Sequence, residues 1–278
     1  MTDNLGREAE ERFGIKADPD DIEKLRAYLW NTYGAANQEI INKVFDSGEA
    51  ADFLTVNETY FFREPAHFSF LWDHLPSFEK TGIRICCAAV SSGCEAYSVA
   101  MMIEAYNRDS VVPNGAPPIS YHIDAFDINH SVIETACRGV YSSRVLREDG
   151  SCFRYMMDPY LKKTENEYRV EQSLKKNIRF FVHNLMDEIP AKEYDIIFFR
   201  NAFIYFSQRH RGYVVLNLSK VLSEGGILLL GVSETAGAHN VCSDAGLDEK
   251  NRKDVFYFQK KTLFTKAKLY NKIERISS

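Results

Sequence analysis

The sequence predicts a doubly wound α/β domain that follows a short helical region. From Arg84 onward, apolar strand-like runs alternate with segments of helical periodicity, which is typical of a parallel sheet with crossover helices. Polar side chains follow several of these runs, at the sheet edge where open α/β folds bind ligands. Before Arg84 the apolar residues recur at helical spacing, so we expect the first part of the chain to cap the domain.

The composition of the 278 residues favours a packed core over disorder, with 45% hydrophobic and 13% aromatic residues. This length fits one large domain or a small domain joined to a larger one. The net charge of −5 and the pI near 5.9 give no sign of a basic face that binds nucleic acid. A DNA or RNA substrate is therefore disfavoured.

The N-terminal segment is charged and lacks the apolar stretch of a secretory signal. No apolar run approaches the roughly 18 residues of a membrane span, so we expect a cytoplasmic protein without membrane insertion. The 6 cysteines show no C-x-x-C pair and are interpreted as reduced structural thiols. The 7 histidines show no ligand spacing, so no metal site is predicted. The sequence does not indicate an oligomeric state.

In the N-terminal region, Asp18 is a predicted N-cap, apolar residues follow at helical spacing, and Gly34 ends this helix. A second apolar pattern runs from Ile40 to Phe45. We therefore expect two or three short helices in a small subdomain over residues 1–62, with the main domain over 63–278.

The hydrophobic pattern of the main domain predicts strands, helices, an insertion and a C-terminal tail. Strands are predicted at 85–90, 120–126, 195–199 and 226–232, and helices at 130–138, at 208–222 and around Val99, Met102 and Ile103. Polar, Lys-rich sequence at about 149–182 contains two strand-like runs, 168–170 and 178–182, which predict an inserted antiparallel β flap. From about 260 the chain is basic, with Leu263, Ala267, Tyr270 and Ile273 on a possible helical stripe. A solvated or packed terminal helix and a surface for an acidic partner or a membrane both remain open for this tail.

The turn Ser91-Ser92-Gly93 follows a predicted strand and precedes a helix, so its backbone N–H groups can reach a ligand at the carboxyl edge of the sheet. It has one glycine and lacks the G-x-G-x-x-G pattern that holds a pyrophosphate, so a nucleoside cofactor without pyrophosphate fits better. Asp127, at the end of the next strand, can accept hydrogen bonds from two ribose hydroxyls. Alternatively, Asp127 caps the helix that starts near His130.

Five ordered motifs together point to a known family. They are Val56-Asn57-Glu58-Thr59-Tyr60-Phe61-Phe62-Arg63-Glu64-Pro65, Ser91-Ser92-Gly93-Cys94-Glu95-Ala96-Tyr97-Ser98, Asp127-Ile128-Asn129, Phe199-Arg200-Asn201-Ala202-Phe203-Ile204-Tyr205-Phe206 and Glu224-Gly225-Gly226-Ile227-Leu228-Leu229-Leu230-Gly231-Val232-Ser233-Glu234. Over about residues 53–258 this set closely resembles the chemotaxis receptor methyltransferases. The resemblance implies a Rossmann-like sheet, S-adenosylmethionine as cofactor, S-adenosylhomocysteine as product, and methyl esters formed on glutamates in the cytoplasmic part of chemoreceptors.

The resemblance also implies roles for individual residues of this chain. The implied cofactor-binding residues are Asn57, Thr59, Arg63, Gly93, Glu95, Asp127, Asn184, Leu185, Arg200 and Asn201, and the implied catalytic residues are Arg63 and Tyr205. From the residues alone, Glu95 could instead stabilise the start of its helix. Likewise, Asn184 could be a turn residue and Arg63 could form a surface ion pair with Glu64.

The implied reaction requires little acid–base chemistry, because a glutamate side chain is already ionised at neutral pH. Catalysis then depends on positioning and desolvation of the reacting groups. On this reasoning Arg63 orients or balances a substrate carboxylate, and Tyr205 donates a hydrogen bond to one of its oxygens. Neither side chain acts as a base.

Several positions differ from the family pattern. Cys94 replaces a glutamate, Ala96 replaces a proline, and Asn129 replaces an acidic residue. The N-terminal helical region is shorter and has no clear counterpart of the basic helix that faces the receptor. Two alternatives follow: the same chemistry on another protein or a small molecule, or a cofactor-binding regulatory module without turnover. Six retained residues, Arg63, Glu95, Asp127, Arg200, Asn201 and Tyr205, argue against loss of turnover.

Overall fold

The computed structural model describes residues 2–77, 82–109, 118–190 and 193–262. The helices are α1 Thr2–Phe13, α2 Pro19–Tyr33, α3 Gln38–Asp46, α4 Ala51–Leu54, α5 Pro65–His74, α6 Cys94–Asp109, α7 His130–Arg138, α8 Arg154–Met157, α9 Gln172–Lys175, α10 Gln208–Val221 and α11 Thr235–Asp244. The strands are β1 Gly82–Ala88, β2 Ser120–Asp127, β3 Val140–Tyr141, β4 Leu161–Lys163, β5 Tyr168–Val170, β6 Ile178–Val182, β7 Tyr194–Phe199, β8 Leu222–Leu230, β9 Leu247–Arg252 and β10 Val255–Lys260. Across the described ranges, we find no helix with the length and apolar character that a bilayer-spanning segment needs.

The main sheet has seven strands in the order β6-β2-β1-β7-β8-β10-β9. Its first five strands are parallel, and β10 runs antiparallel to both of its neighbours. The order reverses direction at β1, which places the carboxyl ends of β1 and β7 at a topological switch point. The predicted doubly wound α/β fold is confirmed, and each of the four predicted strands has a counterpart in this sheet.

Both faces of the sheet are covered, as expected for parallel strands that are apolar throughout. Ile83, Ile85 and Cys87 of β1 belong to one buried cluster, which includes the inner side of α6. Cys86 and Ala88 of β1 point to the opposite face and belong to a second cluster, which includes apolar residues of α1–α4 and α10. The N-terminal helices therefore share a hydrophobic core with the sheet.

The N-terminal helices follow their sequence signals at the positions where those signals are strong. The Asp18 side chain accepts from Asp20 N at 2.9 Å and caps α2, and Gly34 ends it in a left-handed conformation with φ of 69°. The region contains four helices between residues 2 and 54, where two or three were expected. The additional ones are α1 and the one-turn helix α4.

The predicted flap is correct in type but wrong in extent. The three-stranded antiparallel sheet has the order β3-β5-β4, so it begins at Val140 and ends at Val170. Contrary to the prediction from the pattern, the run 178–182 is not part of the flap but forms β6, which pairs in parallel with β2 from Ile123↔Ile178 to Asp127↔Val182. A short apolar run does not reveal which sheet it joins. In the main sheet, β6 packs against α6, where the centres of the Phe180 and Tyr97 rings are 5.3 Å apart.

The far edge of the main sheet is a hairpin of β9 and β10 that the sequence pattern did not indicate. Its turn is made by Lys253 and Asp254, which have φ values of 51° and 64°. Two successive left-handed residues match the twist of antiparallel strands. The predicted basic tail from about 260, with its stripe at Leu263, Ala267, Tyr270 and Ile273, lies almost entirely outside the described residues.

Candidate functional site

A cleft of about 990 Å³, including its open mouth, lies at the carboxyl ends of β1, β2 and β7. This is the place where open α/β sheets bind ligands. Predicted site residues that line the cleft are Asn57, Thr59, Arg63, Glu95, Asp127, Asn184, Leu185, Arg200, Asn201 and Tyr205. Gly93 is the one predicted site residue that does not line the cleft, and every lining residue belongs to the described ranges.

The turn between β1 and α6 has an unusual backbone. Ala89 and Ser91 are left-handed, with φ of 54° and 52°, and Gly93 has φ of 90°. Non-glycine residues rarely adopt this conformation, and such strain tends to occur at ligand sites. A Cβ atom at Gly93 would lie 2.8 Å from Ala136 Cβ and 3.1 Å from the Phe180 ring. Gly93 is therefore required by close packing of the turn against α7 and β6, and it has no place on the cavity wall.

Asp127 holds this turn. It is 6% exposed, and its Oδ2 accepts from Ser91 N at 2.8 Å while its Oδ1 accepts from Asn129 N at 3.0 Å. Burial raises the pKa of Asp127, and these backbone donors oppose the rise. The N-cap of α7 is Asn129, whose side chain accepts from Val132 N, so the capping alternative for Asp127 does not hold. The Ile128 N–H also acts on this carboxylate, and an ionised carboxylate with about four acceptor positions can still take a further donor such as a hydroxyl.

Arg200 links three segments beneath the cleft. Its Nη1 donates to Glu95 Oε2 at 3.0 Å, and its Nη2 donates to Glu64 Oε2 at 3.0 Å and to the Arg63 carbonyl. The guanidinium also lies 5.6 Å from the centre of the Phe68 ring. Burial raises the pKa of Glu95, and the Arg200 charge opposes this. Glu64 therefore pairs with Arg200 and not with Arg63, so the alternative of a surface ion pair between Arg63 and Glu64 does not hold.

Glu64 has further polar neighbours on two sides. Asn201 Nδ2 donates to its Oε1 at 2.9 Å, and His67 Nδ1 lies 3.2 Å from its Oε2. Burial alone would raise the pKa of Glu64, but the neighbouring His67 ring, the Arg200 charge and the hydrogen bonds from Asn201 and Arg200 outweigh it and hold the pKa far below the usual range. Burial lowers the pKa of His67. A carboxylate with this many donors is a fixed anion that orders the loop after β7.

Glu234 is a site residue that the sequence reasoning missed. It is 2% exposed, and its carboxylate accepts from Asn201 N at 2.7 Å, Ile204 N at 3.1 Å and Gly231 N at 2.8 Å. Burial raises the pKa of Glu234, and the backbone donors oppose the rise. The signal was present, because the Ser233-Glu234 pair ends the last matched motif, but no role was assigned to it. Glu234 ties the loop that carries Tyr205 to the end of β8.

Arg63 and Tyr205 lie at the same end of the cleft. Arg63 Nη1 donates to the Glu58 carbonyl at 2.9 Å, which leaves the other guanidinium donors for a ligand. Burial raises the pKa of Tyr205, the Arg63 charge opposes this, and the Glu234 and Glu58 carboxylates add to it. The cleft lining thus includes a cation and a phenol that interact electrostatically.

One wall of the cleft comes from the N-terminal region and was not expected from any motif. Phe13 and Ile15 line the cavity, and Ile15 forms a β-bridge with Phe206. Asn184 Nδ2 donates to the Arg12 carbonyl at 2.7 Å, and Asn184 Oδ1 accepts from Met186 N at 3.0 Å. Asn184 therefore stabilises a turn, which is one of the two roles considered for it, and it also binds the end of α1.

The chemistry of the cleft fits a nucleoside with a cationic tail. The Asp127 carboxylate can take hydroxyl donors, and the Glu95 carboxylate favours a positive charge beside it. Phe126, Ile128 and Leu185 supply apolar wall for a flat ring. Within residues 2–77, 82–109, 118–190 and 193–262, no group of three or more His, Cys, Asp or Glu side chains could hold a metal ion.

Comparison with known proteins gives one family and several relatives. The family described as CheR methyltransferase, SAM binding domain, matches residues 57–246. A chemotaxis protein methyltransferase from Borreliella burgdorferi is 35% identical over 199 residues, which span 67% of this chain and 67% of that protein. A chemotaxis protein methyltransferase from Vibrio parahaemolyticus is 36% identical over 197 residues, with 67% of each chain covered. A probable biofilm formation methyltransferase, WspC, from Pseudomonas aeruginosa is 31% identical over 191 residues, which cover 66% of this chain and 43% of that protein.

Proposed function

Since the chain belongs to the CheR methyltransferase family and is therefore an S-adenosylmethionine-dependent methyltransferase, we propose that it forms methyl esters on glutamate side chains of chemoreceptor proteins. The observation that carries this proposal is that Arg63 and Tyr205 both line the cofactor cleft and that the Arg63 charge acts on the Tyr205 phenol. A guanidinium and a phenol both donate hydrogen bonds, and a carboxylate accepts them. A glutamate side chain is therefore the acceptor that this end of the cleft suits best.

The cofactor contributes a methyl group on a sulfonium, which is a good leaving group. We propose that Asp127 holds the ribose hydroxyls with the acceptor capacity that its backbone donors leave. Glu95 would lie beside the positively charged end, since Arg200 satisfies only part of its carboxylate. Asn57, Thr59, Asn184 and Leu185 would complete the wall.

The protein's part in the transfer is to hold the acceptor carboxylate, because that group is already ionised. Arg63 would orient one oxygen toward the reacting methyl, and the Tyr205 hydroxyl would donate to the other oxygen. Holding reactants in line removes part of the entropic cost of the reaction, which can reach about 7–11 kcal/mol for well-oriented groups. Since attack neutralises opposite charges, the apolar wall around this end also assists it.

Arg200 and Asn201 would act on this site through other residues. Arg200 fixes Glu95 and Glu64, and Asn201 is held between Glu64 and Glu234. We propose that both keep the cleft in shape, and that their side chains reach the cofactor only at its edge. The N-terminal subdomain, proposed as residues 1–62, would close one side of the cleft through Phe13 and Ile15.

The three departures from the family pattern are accommodated by the structure. Cys94 and Ala96 are fully buried in the first turn of α6, and Asn129 caps α7 and donates to Thr55 Oγ1 at 3.1 Å. Each of these residues has a place in the packing, and the charged groups around Arg200 are all present. This supports an enzyme with turnover over a regulatory module.

A second candidate is the same chemistry on a receptor-like protein outside chemotaxis. The relative that supports it is the Pseudomonas aeruginosa protein named a probable biofilm formation methyltransferase. The two candidates share the cofactor, the acceptor group and the roles of Arg63 and Tyr205. They differ only in the protein that carries the acceptor glutamate.

The test begins with calorimetric titration of the purified protein with S-adenosylmethionine and S-adenosylhomocysteine. The same preparation is then incubated with labelled S-adenosylmethionine and receptor-rich membranes, and base-labile label on receptor bands is counted. Binding together with such label is the expected result. Binding without label on any receptor would contradict chemoreceptors as the substrate and leave the second candidate, and absence of binding would contradict the cofactor site.

A further inference from the structure

The mouth of the cleft holds an exposed ion pair beside the reacting end. Arg147 Nη2 lies 2.5 Å from Glu58 Oε1, with side chains 47% and 55% exposed. Exposed pairs of this kind contribute little to stability, because water and salt screen them. Glu58 also lines the cleft, and its charge acts on the Tyr205 phenol. The pair therefore stands where a protein substrate must approach.

Arg147 and Arg63 are brought together by one aromatic ring. The Arg147 guanidinium lies 4.3 Å from the centre of the Tyr60 ring, and the Arg63 guanidinium lies 5.7 Å from it. The Tyr60 hydroxyl donates to Asp149 Oδ2 at 2.9 Å, which fixes the ring between its neighbours. Stacking on an aromatic face orders a guanidinium while it leaves the N–H groups at its edge able to donate.

Arg147 is not needed to hold its own segment in place. Phe61 N donates to the Val145 carbonyl at 3.0 Å, which already joins the segment to the loop before α5. Gly150 is packed so closely that a Cβ there would lie 2.7 Å from the Phe61 carbonyl oxygen. Since backbone contacts on both sides of Arg147 fasten this segment, its side chain is available for another purpose.

We propose that Arg147 is a second anchoring cation for the protein substrate, and that Glu58 occupies it until an acidic segment of the substrate takes its place. The substrate would present one glutamate between Arg63 and Tyr205 and a second carboxylate to Arg147. Glu58 is an acid of the same type as the proposed ligand, and it already shows the geometry that Arg147 accepts. This inference rests on the proposed function, because it assumes a glutamate-bearing protein as acceptor.

The test is a kinetic cycle of Glu58→Gln, Arg147→Ala and the double variant, with chemoreceptor cytoplasmic fragments as acceptor. Arg147→Ala should raise KM for the fragment roughly threefold or more with little change in kcat, as for a charge at the rim of an interface. Glu58→Gln frees Arg147 and should lower KM. Glu58→Gln should have no effect on KM in the Arg147→Ala background, because it acts through that arginine.

Arg144→Ala is the matched control, since Arg144 is an exposed arginine of the same segment. Its KM should equal that of the unsubstituted protein. The inference is overturned if Arg147→Ala behaves like Arg144→Ala, or if Glu58→Gln lowers KM equally in both backgrounds, which would indicate simple charge repulsion. If the unsubstituted protein transfers no base-labile methyl to the fragments, the proposed function fails and the inference fails with it.

Discussion

Two sets of arginine–glutamate pairs lie around the same cleft and differ mainly in burial. The Arg200 side chain is 1% exposed, and its partners Glu64 and Glu95 are 19% and 15% exposed. The Arg147–Glu58 pair at the mouth is about half exposed on both sides. A buried pair cannot lose one partner without leaving a charge uncompensated, whereas an exposed pair can exchange its partner for water or for another anion. Buried charges around the cleft therefore shape the site, whereas exposed charges are available to a substrate.

The largest expected effect tests the buried side of this comparison. Arg200→Ala leaves Glu64 and Glu95 without their shared cation, and breaking a buried pair in this way typically costs about 3–5 kcal/mol of unfolding free energy. Urea unfolding followed by circular dichroism measures the loss. Arg147→Ala is the matched control and should leave the unfolding midpoint unchanged. Similar losses of unfolding free energy for the two variants would contradict the different roles of the buried and the exposed pair.

The next effect concerns Glu234, a buried acid whose partners are all backbone groups. Glu234→Ala strands the N–H groups of Asn201, Ile204 and Gly231, and leaving buried donors unpaired costs about 1–3 kcal/mol. We expect slower methyl transfer with cofactor affinity largely kept, because the loop with Tyr205 loses its anchor. Single-turnover transfer and calorimetry separate the two quantities. Glu234→Gln keeps the shape and one acceptor oxygen, so it should recover part of the rate, and an equally slow Gln variant would contradict the anchoring role.

A smaller effect is expected for the acid at the cofactor end. Asp127→Ala should weaken S-adenosylhomocysteine binding by at least about tenfold, or 1.4 kcal/mol, as expected for losing charged hydrogen bonds. Isothermal calorimetry measures it, with Asp52→Ala in the exposed part of α4 as control. Unchanged affinity would remove Asp127 from the cofactor site.

The smallest effect should come from the partly exposed phenol at the reacting end. Tyr205→Phe removes one hydrogen bond to the acceptor carboxylate. Because that carboxylate loses its charge as the ester forms, we expect a loss in the transition state of about 0.5–1.5 kcal/mol, or roughly two- to tenfold slower transfer. Cofactor affinity should stay nearly intact. We would measure kcat and the dissociation constant of the cofactor in parallel. Equal losses of rate and of cofactor affinity would mean that Tyr205 shapes the pocket and has no part in the transfer.

The central sheet and the cofactor end were predictable because their signals are local. An apolar run followed by Ser91 and a helix, or by Asp127 and a helix, predicts a strand end with a polar group at the ligand edge. β9 was not predictable in the same way. Its sequence Leu247–Arg252 is almost entirely polar or charged, and it forms a strand only because β10 lies beside it.

The network below the cleft could not be predicted from spacing. Arg200 and Glu64 are 136 residues apart, and sequence proximity suggested Arg63 as the partner of Glu64. Their pairing depends on how α5 packs across the end of β7, which is a tertiary arrangement. The same holds for Phe13 and Ile15, which carry no motif and reach the cleft only because α1 lies over the sheet.

The bond between Asn184 and the Arg12 carbonyl spans 172 residues, and this has a consequence for synthesis on the ribosome. Helix α1 is made long before the sheet that it covers, so while the chain grows Phe13 can pack first against N-terminal neighbours such as Phe45 and only later against the sheet. The cleft gains this wall only after Asn184 and Tyr205 have left the ribosome. The cofactor can therefore stabilise only a nearly finished chain, because a ligand stabilises the state that already contains its site.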